Sequence, residues 1–250
     1  MGQSVKKNRI GESYYDKKRN DNVTIVEYNG YHDMIVEFEN TKTRVKVEYS
    51  QFKKQNIKDP TYRDSLGIGY LGIGKHKSNR HNPFYRRWFA MLQRCYDETS
   101  TSYRPGKEVC EEWHNFQNFA DWMEEHWYEV EGETMCIDKD ILSKGSKLYS
   151  PETCCIVPME INNAFNYANT YLRFKEDKNG CYSVKANSEY IGYAHSREEA
   201  WNLYVKHKEA HVKNLANKYK EVIEPRVYET LMSYKVPENL KPKHWEEYKI

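Results

Sequence analysis

The sequence predicts an α+β protein whose strands and helices are segregated along the chain. Three observations carry that expectation. Short runs of two-residue alternation, "VTIVEY", "MIVEF" and "TRVKVEY", fill the first quarter. The middle replaces them with helical spacing of aromatic residues, in "PFYRRWFAMLQRCYD" and "EEWHNFQNFADWMEEHW". A later set of short strands, "YLRFKED", "GCYSVKAN" and "EYIGYAH", precedes one long amphipathic helix. Period two buries one face of a strand and period 3.6 one face of a helix, so a change of period marks a change of element.

Taken in order, residues 1–79 read as a basic arm and a small β module at about 20–60. Lys6, Lys7, Arg9, Lys17, Lys18 and Arg19 form the arm, and "NGYHD" and "ENTK" supply turns between strands. The following "GIGYLGIGKH" holds a formal G-x-G-x-x-G at Gly67, Gly69 and Gly72. A dinucleotide site needs a strand before that motif, a helix after it and an acid about twenty residues on. The flanks "DPTYRDS" and "KHKSNRHNP" supply neither element, so a glycine-rich connector is expected.

Residues 80–168 form the second segment. Pro83 suits a helix start, and Trp88, Met91, Leu92 and Cys95 share one helical face. Trp113, Phe116, Phe119, Ala120 and Met123 make the apolar stripe of a second helix. "MCIDKDIL", a loop with Gly145, and "YSPETCCIVP" then read as strand, loop and strand, closed by Pro158, and "MEINNAFNYA" as a helix. Residues 169–220 give the three short strands, a turn at Lys178-Asn179-Gly180 and the long helix, with Ser196 and Glu199 spaced as a capping box. In the tail, residues 221–250, "RVYETLMSY" adds a helical turn or two before a proline-broken, loosely attached end.

Charge is unevenly spread over these 250 residues. The net +2 divides into +5 for 1–79, −6 for 80–170 and +3 for 171–250. Basic flanks around an acidic centre suit ends that grip phosphate and a middle that binds a cation, and ordinary surface charge gives the same pattern. The 22 tyrosines and 6 tryptophans suit small cores and stacking surfaces alike. No apolar run has the length of a membrane span or a signal peptide, so an intracellular protein without a membrane partner is expected. Six cysteines without C-x-x-C spacing do not predict a disulfide framework. A zinc site from Cys95, Cys110, Cys136 and one of Cys154 and Cys155 is less expected than reduced thiols in the core.

The ordered landmarks "YRRWFAMLQRCYD", "VCEEWHNFQNFADWM" and "IDKDIL…G…YSPETCCIVPMEINN", over about residues 84–167, resemble the HNH-type, homing-endonuclease-like proteins of bacteriophages. The three strands, "GYAHSREEAWNLY" and the following helix resemble an AP2-type DNA-binding domain. The resemblance implies a ββα-metal unit followed by an AP2-like sheet and helix, double-stranded DNA as partner, and the cytoplasm of an infected bacterium as setting. The implied activity is metal-dependent hydrolysis of DNA phosphodiesters, which needs an activated water and a cation to neutralise developing charge. The family's metal aspartate falls on Asp138, beside Asp140, and its helix ligand on Asn162 or Asn163. The orienting asparagine falls on Thr153 or its neighbour Glu152. Oxygen ligands of this kind suit Mg²⁺ or Mn²⁺ better than zinc.

The general-base position of that family holds Lys139 in place of histidine. A lysine titrates at about 10.4, and between two carboxylates its charged form is favoured. Lys139 therefore suits a phosphate contact better than water activation. His81, His114 and His126 are the histidines a relocated base would draw on, with surface or packing roles the plainer expectation. Two readings follow: an endonuclease acting through Asp138, Lys139, Asn162 and Asn163, or a catalytically inactive DNA-binding regulator or anti-defence protein on the same scaffold. A charged turn at "IDKD" and a protein-interaction module with aromatic helices are the plainer alternatives. For DNA contacts the expectation is Arg86 and Arg87, with Arg173, Lys175, Tyr182, Lys185 and Tyr190 on the sheet. Trp201 and Tyr204 are expected to pack the long helix onto the sheet, and Lys206, Lys208 and Lys213 to form its solvated face.

Overall fold

The alternating runs of the first segment pair as an antiparallel meander. The computed structural model describes residues 8–143, 145–165, 173–176, 178–186 and 189–241, with backbone alone at 173–175 and 239. In it β1 (Ser13–Asp16), β2 (Asp21–Gly30), β3 (Asp33–Phe38) and β4 (Arg44–Val47) lie side by side in chain order. Val23, Ile25, Met34, Val36 and Phe38 point to one face and are fully buried there. The short helix α1 (Tyr49–Lys53) closes that face with Phe52. The polar run "SYYD" was too short to read as a strand by alternation. It pairs with β2 in the register Ser13↔Thr24, and Tyr14 enters the core. Lys6 and Lys7 of the basic arm, residues 166–168 of "MEINNAFNYA" and the tail from 242 lie outside the described residues.

The chain divides into two compact units, Met1–Met123 and Glu124–Ile250. Within the first, the glycine-rich connector is a strap against the next two helices, α2 (Pro83–Tyr96) and α3 (Phe116–His126). A Cβ on Gly69 would sit 2.5 Å from Leu92 Cδ1 and 2.7 Å from the Trp88 ring. The backbone can approach so closely only where no side chain intervenes. Tyr70 donates its N–H to the His114 carbonyl (2.9 Å) and accepts from Phe116 N–H (2.9 Å). The buried amide of Gln117 bonds the Leu71 carbonyl (3.3 Å), the His76 carbonyl (3.0 Å) and the His76 N–H (2.9 Å). Gly69, Gly72 and Gly74 therefore serve packing.

Asn82 caps α2 by accepting from Phe84 N–H (2.9 Å), with Pro83 at the first helical position. Trp88, Met91, Leu92 and Cys95 are buried as their spacing predicts, and the Trp88 indole N–H donates to the Trp113 carbonyl at 2.7 Å. After the two-residue β5 (Glu108–Val109), the expected second helix is split into a 3₁₀ turn at Glu111–His114 and α3. The break falls at Asn115, whose side chain accepts from Gln117 N–H at 3.0 Å and so starts the helix again. Trp113, Phe116, Phe119, Ala120 and Met123 remain on the buried face. Each large apolar side chain withdrawn in this way contributes about 1.5–3 kcal/mol.

The second unit contains β6 (Met135–Asp138), the two-residue β7 (Leu148–Tyr149), β8 (Cys155–Pro158) and α4 (Met159–Phe165). The three later strands are β9 (Arg173–Glu176), β10 (Tyr182–Ala186) and β11 (Glu189–Ala194), in the sheet order β11-β10-β9. They are followed by α5 (Arg197–Lys218) and α6 (Pro225–Met232). The 22-residue α5 serves two cores. Ala200, Trp201 and Tyr204 in its first half pack the sheet through Tyr182, Val184 and Ala194. Val212, Leu215 and Ala216 in its second half join Cys155, Val157, Ile161 and α6. The expected segment 80–168 is thus divided: its helices pack with the glycine strap in the first unit, and its strand–loop–strand–helix packs on α5 and α6 in the second. Ser196 accepts from Glu199 N–H (3.1 Å), but the Glu199 carboxylate returns to His195 N–H (2.7 Å), one residue earlier than a capping box requires.

Candidate functional site

The strand–loop–strand–helix order expected at "IDKDIL…" is present. β6 and β8 pair antiparallel in the register Met135↔Pro158 and Asp138↔Cys155, and α4 begins at the next residue. Asp138 closes β6 and is buried. Its Oδ1 accepts from the backbone N–H groups of Asp140 and Ile141, each at 2.8 Å, which turns the chain out of the strand. Burial pushes this carboxyl upward, opposed by those two bonds; Asp140 adds to the rise and Lys139 opposes it.

Lys139 is only 3% exposed. Its ammonium donates to Asp140 Oδ1 (2.5 Å) and to the Ser146 carbonyl (2.8 Å), and lies 5.6 Å from the centre of the Tyr149 ring. The Ser143 hydroxyl donates to the Lys139 carbonyl. Thr153, at one expected orienting position, donates to the Leu148 carbonyl (2.8 Å) and accepts from Ser150 N–H (3.0 Å). Glu152 beside it is exposed, held below the usual carboxylate range chiefly by Ser150. On α4, Asn162 turns its amide toward the Met159 sulfur at 3.9 Å, and Asn163 is exposed.

This donor set does not fit a bound divalent cation. Asp138 commits Oδ1 to two backbone amides, and a lysine ammonium neutralises its neighbour Asp140. Oxygen-bound Mg²⁺ or Mn²⁺ calls for ionised carboxylates with free lone pairs. The loop is instead a self-satisfied ionic turn.

The sheet presents a different surface. Along β10, Tyr182, Val184 and Ala186 face α5 and are buried, while Ser183 and Lys185 face outward. The β10–β11 register pairs Ser183 with Tyr193 and Lys185 with Tyr190, with a bulge between these pairs. The extra residue lets Tyr190 and Tyr193, three positions apart, reach the same outward face, where they are 58% and 46% exposed. Gly192 lies opposite Val184 at φ +151, and a Cβ there would meet Leu203 Cδ2 at 2.6 Å, so the bulged strand lies close on the helix. On β9, Arg173 is in register with Lys185 and Lys175 with Ser183; their side chains lie outside the described residues. Tyr182 belongs to the buried face, with its hydroxyl accepting from Arg197 Nε at 3.3 Å, a correction to its expected place among the DNA contacts. Tyr193 is the tyrosine on the outward face beside Tyr190.

Of the remaining expected residues, Arg86 is exposed on α2 and Arg87 donates to the Pro83 carbonyl at 3.3 Å. His114 is a packing residue. Burial lowers its pKa, and its ring nitrogens meet the Val109 carbonyl (3.1 Å) and Arg63 Nη1 (3.3 Å). His81 is exposed and His126 ends α3. His76 has a carboxylate partner, its Nε2 2.9 Å from Asp121 Oδ1, with Lys75 3.5 Å from the same oxygen; exposed His32 lies 3.5 Å from Glu48. Lys206 is exposed as expected, whereas Lys208 is buried, a correction. All six cysteines are free thiols, with Cys95, Cys154 and Cys155 buried. Among the described residues no helix is long and apolar enough to cross a membrane. Comparison with family models, with curated proteins and with solved structures gives no match.

Proposed function

We propose that this protein binds double-stranded DNA through the outward face of β9, β10 and β11, on a nuclease-type scaffold whose catalytic position is closed by an ion pair. The observation that carries the proposal is the contrast between the faces of that sheet. One is sealed by Trp201, Tyr204 and Ala200 of α5, and the other exposes Lys185, Tyr190 and Tyr193 side by side. A lysine in register with one tyrosine and near a second suits a groove in which the ammonium meets phosphate and the rings meet base edges and sugars. The AP2-type resemblance of the sequence leads to the same surface.

A second reading, metal-dependent cleavage of the HNH type, is favoured by one observation. Asp138 ends a strand that pairs antiparallel with β8, directly before α4, which is the ββα order the resemblance implies. Cleavage would require the loop to release Asp138 from the two backbone amides and Lys139 from Asp140. The test is incubation of the full chain with supercoiled plasmid and a linear duplex, with and without Mg²⁺ or Mn²⁺, for wild type and Asp138→Asn. Binding with no nicked or linear product under any condition supports the first reading. Metal-dependent nicking that Asp138→Asn abolishes establishes the second. No association with DNA overturns both and leaves a protein-interaction module.

A further inference from the structure

Residues 65–96 carry six Lys or Arg and no Asp or Glu, a stretch that spans the glycine strap, the loop after it and α2. The six are Lys75, Lys77, Arg80, Arg86, Arg87 and Arg94. Lys75 meets Asp121 at 3.5 Å, and its side chain is 64% exposed. Lys77, Arg80 and Arg86 are exposed and make no ion pair among the described residues.

The cations also stand where the fold disfavours them. The first turn of α2 contains no acidic residue, Arg86 and Arg87 occupy its fourth and fifth helical positions, and Arg80 lies just before its cap. The N-terminal end of a helix carries partial positive charge and favours anions, so cations clustered there repel both the helix and one another. An external anion relieves that repulsion. Arg86, Ala90 and Arg94 form an exposed stripe on α2, and eight helical steps put about 12 Å between its two arginines. Cations strung out over such a distance match the repeated charges of a nucleic-acid strand; one small anion would call for donors converging on a point.

We propose that this basic strap and helix face form a second nucleic-acid-binding surface, which grips the phosphate backbone without reading sequence. The inference rests on the reading of the protein as a DNA binder and gives the first unit its own share in that binding. Two surfaces on one chain act as linked contacts, so losing either weakens the whole by more than its own modest affinity suggests.

The experiment is fluorescence anisotropy of the full chain with a labelled 30-base-pair duplex across a salt series. It compares wild type, the triple variant Lys77→Ala/Arg80→Ala/Arg86→Ala, its charge-keeping counterpart Lys77→Arg/Arg80→Lys/Arg86→Lys, and the sheet variant Lys185→Ala/Tyr190→Ala. The alanine triple is expected to lose at least tenfold in affinity at 0.1 M salt. Its plot of log K against log salt should flatten by about 2–3, since each lost phosphate contact removes roughly 0.9. The counterpart is expected to bind like wild type. Wild-type binding with no change in the alanine triple overturns the second surface and leaves the sheet reading intact. Loss in the triple but none in the sheet variant supports the second surface and overturns the sheet. No wild-type binding, or equal avidity for vesicles of anionic phospholipid, overturns the inference.

Discussion

The most informative single side chain is Asp138, because its place in the loop makes a quantitative demand. Its Oδ1 accepts two backbone N–H groups at 2.8 Å, and the residue is buried. Asp138→Ala leaves both amides without that acceptor, and a buried donor left unpaired costs about 1–3 kcal/mol. The expected loss is therefore about 2–6 kcal/mol, which lowers the melting transition by roughly 4–24 °C at the slope usual for a chain of this size. Asp138→Asn keeps an oxygen at the same place and removes a carboxylate that burial disfavours. Because the folded carboxyl holds its proton more tightly than the unfolded one, wild-type stability falls as pH rises through the raised folded pKa. The asparagine variant escapes that loss. It should match or exceed wild type at pH 7 and lose its advantage as pH falls below the ordinary aspartate range. Thermal and urea unfolding at pH 4 and pH 7, followed by circular dichroism, measures all three proteins. Destabilisation of the asparagine variant equal to that of the alanine variant at pH 7 would refute the turn-forming role, since charge rather than an acceptor would then hold the loop.

Other outcomes are open to the same measurements. Lys208→Met should stabilise the protein at pH 7 by about 1–3 kcal/mol, because burial pushes the lysine down to about 8. Wild-type stability should then rise between about pH 8 and 10.5, where the unfolded chain binds the extra proton, and the methionine variant should lack that rise. Gly69→Ala places a methyl group 2.5 Å from Leu92, so a cost of about 1–3 kcal/mol and looser packing of α2 should follow, read by tryptophan fluorescence. Lys185→Ala should weaken DNA binding and flatten its salt dependence by about 1, with the melting temperature unchanged.

Much of the architecture was legible because periodicity is a packing instruction. The apolar faces of β2, β3, α2 and α3 lie where alternation and helical spacing placed them, and Pro83 and Ser196 stand at helix starts. What escaped were effects of register and tertiary contact. Tyr193 and Tyr190 sit three residues apart and by strict alternation belong on opposite faces; a bulge, invisible in composition, brings them together. Lys208 looks like any solvated lysine on a polar helix, yet it lies where α5 passes from the sheet core to the second core, and is enclosed. Gly69 shows its purpose only against the Trp88 and Leu92 side chains it makes room for, and Gly72 only against Asn115 and Gln117. Asp138 and Lys139 show the limit of reading chemistry from residue type. The two side chains that suggested a metal and a phosphate contact are committed to backbone amides and to Asp140. A buried structural turn and a reactive centre use the same letters.

The most direct measurement is hydrogen exchange of the full chain with and without a saturating 30-base-pair duplex. If the outward face of the sheet lies in a DNA groove, peptides covering 182–194 gain protection on binding, while α6 exchanges as it does in the unbound protein. A tightly bound duplex that leaves 182–194 unprotected would contradict it.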